Sequence, residues 1–240
     1  MKRKTAQYMA GLMDAEGMFD IERAFRSDDR NCYNYTVKIV LTNTNIALMK
    51  WAVKYFGGVY KKRKPEVGKK QAYDWIISNQ KHGLSFISQI FPFLVVKRAE
   101  AQTLVDYYAM YGKEFPERRE QLFFKNKELK WDKSSVTTDM QDISNAYAAG
   151  FVDGDGSIDT PHRLAVSNAC KVLIDLFKAT YGGSYYLDVR EEPNQNDSHV
   201  WYLSNPTKVE KIVLSWLPYL IDKHHRGEQV LKRLRDKDTV

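Results

Sequence analysis

The chain has 240 residues, 43% hydrophobic and 28% charged, enough length to bury a sizeable core as one large domain or two small ones. No window approaches 18 uninterrupted apolar residues, which excludes a membrane-spanning helix. Two cysteines, Cys32 and Cys170, are too few for a disulfide scaffold and lack metal-site spacing, while a net charge of +7 is compatible with a polyanionic partner.

From the N-terminus, Met1-Lys2-Arg3-Lys4 leads straight into a helical stretch over 5–14, with no signal-peptide core or transit segment. That stretch contains Tyr8-Met9-Ala10-Gly11-Leu12-Met13-Asp14-Ala15-Glu16-Gly17. Alternation over 18–25, a polar turn at 27–31 and a β-branched, aromatic run over 33–41 predict a hairpin. Thr44 or Asn45 caps a helix over 46–55 that stops at Gly57-Gly58. Residues 59–63 and 71–78 predict a second hairpin around a loop in which Lys61, Lys62, Arg63, Lys64, Lys69 and Lys70 face one acid, Glu66. Such a loop is either a solvated turn or a phosphate grip, and its alternating flanks favour the grip. A helical region over 81–111 is interrupted near Pro92. The joining segment, 112–142, is charged but carries Phe115, Leu122, Phe123, Phe124 and Trp131, so it is expected to contain helix and to pack on the surface. The tail from Arg226 reads as a charged terminal helix.

The first stretch recurs as Tyr147-Ala148-Ala149-Gly150-Phe151-Val152-Asp153-Gly154-Asp155-Gly156. Further marks recur in the same order: Asn43 and Asn168, Gly57 and Gly182 (125 apart), Trp75 and Trp201, Pro92 and Pro218 (126 apart). The motif acids, 16 and 155, are 139 apart, so the second repeat lacks about 14 residues in its first hairpin. Two pseudo-symmetric αββαββα repeats follow, with an N-terminal repeat over 1–111, a linker over 112–142 and a C-terminal repeat over 143–240. Small residues at Ala10-Gly11 and Ala149-Gly150 would let the two motif helices approach closely.

Glu16 and Asp155 fall at helix C-termini, before helix-stop glycines, where the unpaired carbonyls make a carboxylate unfavourable by up to about 1 kcal/mol. One such end is readily a solvated acid. Two facing ends need an offset, and a divalent cation supplies one. Asp14 and Asp153 read as structural acids in capping or helix packing. An EF-hand is excluded because the later oxygen ligands are missing, and no Ser or Cys sits in a nucleophile elbow.

These paired motifs resemble those of the LAGLIDADG homing endonucleases in the single-chain form, and the likeness runs from about residue 6 to 230. The first motif departs by having Met at two apolar positions and Glu16 for the final Asp. The resemblance implies an α+β fold in which the repeats pack through their motif helices and two antiparallel sheets form a DNA-binding saddle. It implies a monomer that makes a double-strand break in a long asymmetric duplex site and leaves short 3′ overhangs. Glu16 and Asp155 would bind Mg²⁺ (Mn²⁺ substituting), helped by backbone carbonyls near Ala15 and Gly154. Lys97 and Lys223 would act near the scissile phosphates, and Asn43 and Asn168 would contact catalytic water. The other readings are surface charge for the lysines and helix capping for the asparagines.

Readers of DNA are expected among Arg23, Arg26, Lys38, Lys61 and Arg63 in the first half and Arg163, Asp188, Arg190 and Glu192 in the second, with Lys62, Lys64, Lys69 and Lys70 on phosphate. The alternative is an RNA maturase, acting on intron RNA, or a non-cleaving DNA-binding protein on the same scaffold. The expected location is intracellular, at the host DNA.

Overall fold

The computed structural model describes residues 2–26, 32–65, 67–110, 116–160, 162–190 and 197–237. In chain order the first elements are α1 (Arg3–Glu16), β1 (Gly17–Arg26), β2 (Cys32–Asn43), α2 (Ile46–Phe56), β3 (Val59–Lys62), β4 (Tyr73–Ile77), α3 (Gln80–Ile90), a 3-10 turn (Phe91–Phe93) and α4 (Arg98–Ala109). The joining helix α5 (Pro116–Trp131) comes next. There follow α6 (Asn145–Asp155), β5 (Gly156–Asp159), β6 (Arg163–Asn168), α7 (Lys171–Tyr181), β7 (Ser184–Asp188), β8 (Ser198–Leu203), α8 (Pro206–Trp216) and α9 (His224–Lys237). Each repeat thus runs αββαββα and adds one further helix, α4 or α9. None of the described helices is long and apolar enough to cross a membrane.

The chain forms two compact units, Gly17–Lys133 and Met1–Glu16 together with Ser134–Val240. The first motif helix therefore sits with the second repeat. In the Gly17–Lys133 unit the antiparallel sheet has the order β1-β2-β4-β3. Strand alternation puts Phe19, Ile21, Ile39, Leu41, Trp75 and Ile77 on one buried face, and Trp75 packs edge-on against Phe86 of α3. The other unit repeats the plan in the order β5-β6-β8-β7, with Trp201 against Phe177 of α7.

The Gly-Gly pairs explain why α2 and α7 end where they do. Gly57 and Gly58 (φ 67° and 77°) and Gly182 and Gly183 (φ 71° and 88°) lie in the left-handed region that side chains disfavour. Trp75 Nε1 donates to the Gly57 carbonyl and Trp201 Nε1 to the Gly182 carbonyl, both at 2.7 Å, so each buried indole N–H is satisfied at the same turn. The repeats differ where the spacing predicts: β1 and β2 have 10 and 12 residues, β5 and β6 have 4 and 6.

Within its unit α1 packs lengthwise on α6, backbone to backbone. A Cβ at Gly11 would lie 2.0 Å from the Tyr147 carbonyl oxygen, and one at Gly150 would lie 2.0 Å from that of Tyr8. The same tyrosines close the interface with their hydroxyls. Tyr8 donates to Asp153 Oδ2 and Tyr147 to Asp14 Oδ2, each at 2.6 Å. Asp14 and Asp153 are buried, so their expected structural role is met by a reciprocal hydrogen bond. Gly156 stops α6 as the sequence suggests, its N–H donating to the Val152 carbonyl. It leaves α6 in extended geometry (φ −90°), and glycine is required there because a Cβ would lie 2.6 Å from Val152 Cα.

Two outcomes follow from this interface. Gly150→Ala forces the helices apart at a point where only backbone can yield, at a cost of about 3 kcal/mol. Thermal melting should show a midpoint lower by roughly 6–12 °C, and an unchanged midpoint contradicts the packing. Burial, and then the adjacent carboxylates, push the Tyr8 and Tyr147 hydroxyls well above the usual tyrosine range. The stability tied to these neutral phenols is fully present below about pH 10 and is lost as pH rises from there toward their folded-state values. Wild type should lead Tyr8→Phe/Tyr147→Phe in stability at pH 8. That lead should shrink above pH 10 by about 1.4 kcal/mol per tyrosine per pH unit, and a constant lead up to pH 11 contradicts it.

Candidate active site

Glu16 is the last residue of α1 and Asp155 the last of α6. Because the helices touch along their backbones, their C-terminal ends abut as well. A Cβ at Gly154 would lie 2.5 Å from Ala15 Cβ and 3.2 Å from Glu16 Cγ. Any larger residue at 154 would push the first motif's end away from the second's. Glu16 is half-buried and Asp155 exposed, so both reach the surface from one rigid seam.

Lysine meets the carbonyls at the end of α6. Lys223 Nζ donates to the carbonyls of Val152 (2.7 Å), Asp153 (2.8 Å) and Gly154 (3.3 Å), placing a cation on the negative end of the helix. Its own backbone N–H donates to Asp153 Oδ1 at 2.8 Å, and the Ile221 N–H donates to Oδ2 at 2.7 Å. Asp153 thus clamps the 221–223 segment to the motif helix. Burial raises its pKa, and hydrogen bonds from Ile221, Tyr8 and Lys223 work in the opposite direction. In the Gly17–Lys133 unit, Lys97 Nζ donates to the carbonyl of Gly17, the residue that follows Glu16, at 2.7 Å. Both lysines thus donate to backbone carbonyls beside a motif acid, but at non-equivalent places, since Gly17 corresponds to Gly156 and not to 152–154.

Asn43 and Asn168 also take matched places. The Asn43 Oδ1 accepts from the Asn45 N–H at 2.7 Å and the Asn168 Oδ1 from the Cys170 N–H at 2.9 Å. Each makes an Asx turn where a strand passes into α2 or α7. Asn45 itself caps α2, accepting from the Ala47 N–H. Among the described residues no group of three or more His, Cys, Asp and Glu side chains is arranged to hold a metal ion. The protein offers two carboxylates and backbone carbonyls there, an all-oxygen set.

Register decides which candidate readers share the open face of each sheet. In the Gly17–Lys133 unit Asp20 opposes Lys38, Glu22 opposes Thr36, Ala24 opposes Asn34, and Thr42, Asp74 and Lys61 form a row. Lys38 and Lys61 are thus on the face turned away from the buried core, where Lys38 pairs with Glu22 and Arg63 Nε lies 3.7 Å from Asp74. Arg23 is not. It shares the parity of Phe19 and Ile21, and its guanidinium is bound to Glu120 (3.1 Å) and stacked 4.8 Å from the Phe123 ring of α5. Lys62 likewise has the parity of Tyr60, opposite to Lys61. Lys64, Lys69 and Lys70 are exposed beyond the strand ends. In the other unit Arg163 lies over the Tyr202 ring (5.4 Å) on the open face, and Arg190 pairs with Asp188 at 2.9 Å. The side chain of Arg26 and the whole of Glu192 lie outside the described residues.

Sequence reasoning overlooked the open-face residues Glu22, Thr36, Asp74, Tyr186 and Tyr202, although period-2 alternation from the buried strand positions identifies each of them. It also left Tyr8 and Tyr147 without a role, despite their identical place in the two motifs.

Residues 9–110 match the family profile described as LAGLIDADG endonuclease. A search of curated protein sequences gave no match. Among solved structures the chain is similar to I-SmaMI bound to uncleaved DNA target in the presence of calcium ions, with TM-score 0.74, 15% identity, and coverage of 97% of this chain and 92% of that one. It is also similar to the LAGLIDADG homing endonuclease I-GzeII in complex with DNA target (TM-score 0.71, 15% identity, 98% and 92% coverage). A third is I-LtrWI, a LAGLIDADG homing endonuclease bound to target DNA (TM-score 0.70, 14% identity, 98% and 92%). At such identities the likeness is one of fold. The second repeat, beyond the profile match, presents a carboxylate, a tyrosine and a lysine at the places they hold in the matched first repeat.

Proposed function

We propose that this protein is a site-specific DNA endonuclease that cuts both strands of a long asymmetric duplex site as a monomer, using divalent cations, Mg²⁺ first, and leaving short 3′ overhangs. The observation that carries the proposal is the seam at the α1 and α6 ends, which brings Glu16 and Asp155 to one surface on abutting backbones. Helix geometry fixes both acids, so neither depends on a mobile loop.

The donor set suits a hard cation. Two carboxylates with backbone carbonyls, and no His or Cys, match an ion that takes one or two carboxylates and completes its shell with substrate phosphate and water. Glu16 and Asp155 would hold it, with the Ala15 and Gly154 carbonyls nearest. When bound, the cation supplies Lewis-acid polarisation of a scissile phosphate.

The rest falls to this chain's own groups. Glu16 and Asp155 each serve one strand, which accounts for a duplicated motif in a reaction that breaks two phosphodiesters. Lys97 and Lys223, held on backbone carbonyls, offer positive charge to the reacting phosphates. Asn43 and Asn168, held by their Asx turns, would orient water. On the open faces Lys38, Lys61, Arg63 and Arg163 meet DNA beside acidic and neutral partners, while Lys64, Lys69 and Lys70 bind phosphate. The two faces carry different residues, so the site read is asymmetric.

A cleavage selection tests this. Protein is incubated with Mg²⁺ and a large library of DNA sites, alongside Glu16→Gln and Asp155→Asn. Wild type should yield one long asymmetric consensus cut on both strands. Either substitution should lower double-strand cutting at least about a hundredfold, the scale of losing one charge-stabilising group. Enrichment of bound sites without cutting in Mg²⁺ or Mn²⁺ would sink the catalytic reading.

A further inference from the structure

The first hairpin poses a problem that the second does not. β2 pairs with β4 only over Ile39–Asn43, so beyond that point β1 and β2 continue as a two-stranded ribbon. Such a ribbon is marginal in water by itself. Its open-face residues, Glu22, Ala24, Asn34, Thr36 and Lys38, include the candidate reader Lys38. In addition β1 is an edge strand, whose outward N–H and C=O groups need partners.

α5 provides both. Asn126 is fully buried and takes the place of a neighbouring strand: its Oδ1 accepts from the Ile21 N–H (3.3 Å) and its Nδ2 donates to the Phe19 carbonyl (3.2 Å). The same amide donates to Thr103 Oγ1 at 2.9 Å, tying the rung to α4. On either side of the rung, Lys127 (3.0 Å) and Lys130 bind Asp20, and Glu120 with Phe123 holds Arg23. Lys133 pairs with buried Glu100, fastening the far end of the segment to α4.

We propose that α5 is a splint for the β1–β2 ribbon and that Asn126 is a positioning residue, which fixes where the ribbon's open face meets DNA and so sets base selectivity for that part of the site. The inference rests on the endonuclease reading above. Asn126 touches no substrate; it acts through the register and orientation of β1. Arg23, by the same account, serves the splint and reads no base.

Asn126→Leu keeps the approximate size and removes the rung, and Thr103→Val is a milder variant that leaves Asn126 in place but loosens it. Two measurements follow. Hydrogen exchange at the Ile21 amide should quicken about tenfold or more in Asn126→Leu, and less in Thr103→Val. Cleavage of every single-base variant of the target should then lose discrimination about tenfold at the base pairs read by the ribbon. Those base pairs are identified as the ones whose preference changes in Thr36→Ala and Lys38→Ala. Preferences elsewhere should change less than about twofold. Unchanged Ile21 exchange, or an even loss of discrimination over the whole site, overturns the splint. If wild type cuts no library member, the endonuclease reading fails and takes the selectivity claim with it. Normal cutting with unaltered selectivity in both variants overturns the splint alone.

Discussion

Everything at the candidate active site depends on two helices touching without side chains between them. Where a Cβ at Gly11 or Gly150 would sit, a carbonyl oxygen of the partner helix is 2.0 Å away. That contact brings the ends of α1 and α6 together and sets Gly154 against Ala15 and Glu16. Dispersion alone does not fix the register of such a contact. The reciprocal Tyr8–Asp153 and Tyr147–Asp14 hydrogen bonds do, because a slip by one residue strands two buried carboxylates. Placing acids at helix C-termini runs against the helix dipole, and Lys223 offsets this by capping three of α6's last carbonyls.

The repeats share this frame and diverge around it. Their Trp–Gly-Gly corners and Asx turns match, since these settle how a strand meets a helix and have little freedom to vary. The first hairpin varies in length, and with its longer reach comes a need for support. Asn126, the Asp20–Lys127–Lys130 group and the Arg23–Glu120 pair meet that need from a segment lying between the repeats. Most of these ion pairs are partly exposed and contribute modestly one by one, whereas the buried Asn126 bonds satisfy an outward N–H and C=O of the edge strand β1.

Much of this was legible in the sequence. The repeat, the two hairpins per repeat, the shortened first hairpin of the second repeat and the structural part of Asp14 and Asp153 all follow from spacing and residue type. What escaped did so for identifiable reasons. Arg23 was grouped with Lys38 because both are basic and on neighbouring strands, yet counting by two from Phe19 puts it on the covered face. Gly156 reads as a helix stop and is one, but the reason that only glycine fits there, a Cβ 2.6 Å from Val152 Cα, lies in three dimensions. A lone Asn in a charged helix gives no sign that it will complete a sheet edge. Lys223 announces its charge but not the carbonyls it will cap.

On the proposed reading, the abutting helix ends would hold a divalent cation together with a phosphate of bound DNA. Calorimetric titration with Ca²⁺, a hard cation of the same ligand preference, tests this on the protein alone and with its selected target duplex. Ca²⁺ should bind tightly with the duplex and at most in the millimolar range without it, the tight binding being lost in the Glu16→Gln/Asp155→Asn double variant. Equal affinity with and without DNA, or tight binding that survives removal of both carboxylates, would contradict it.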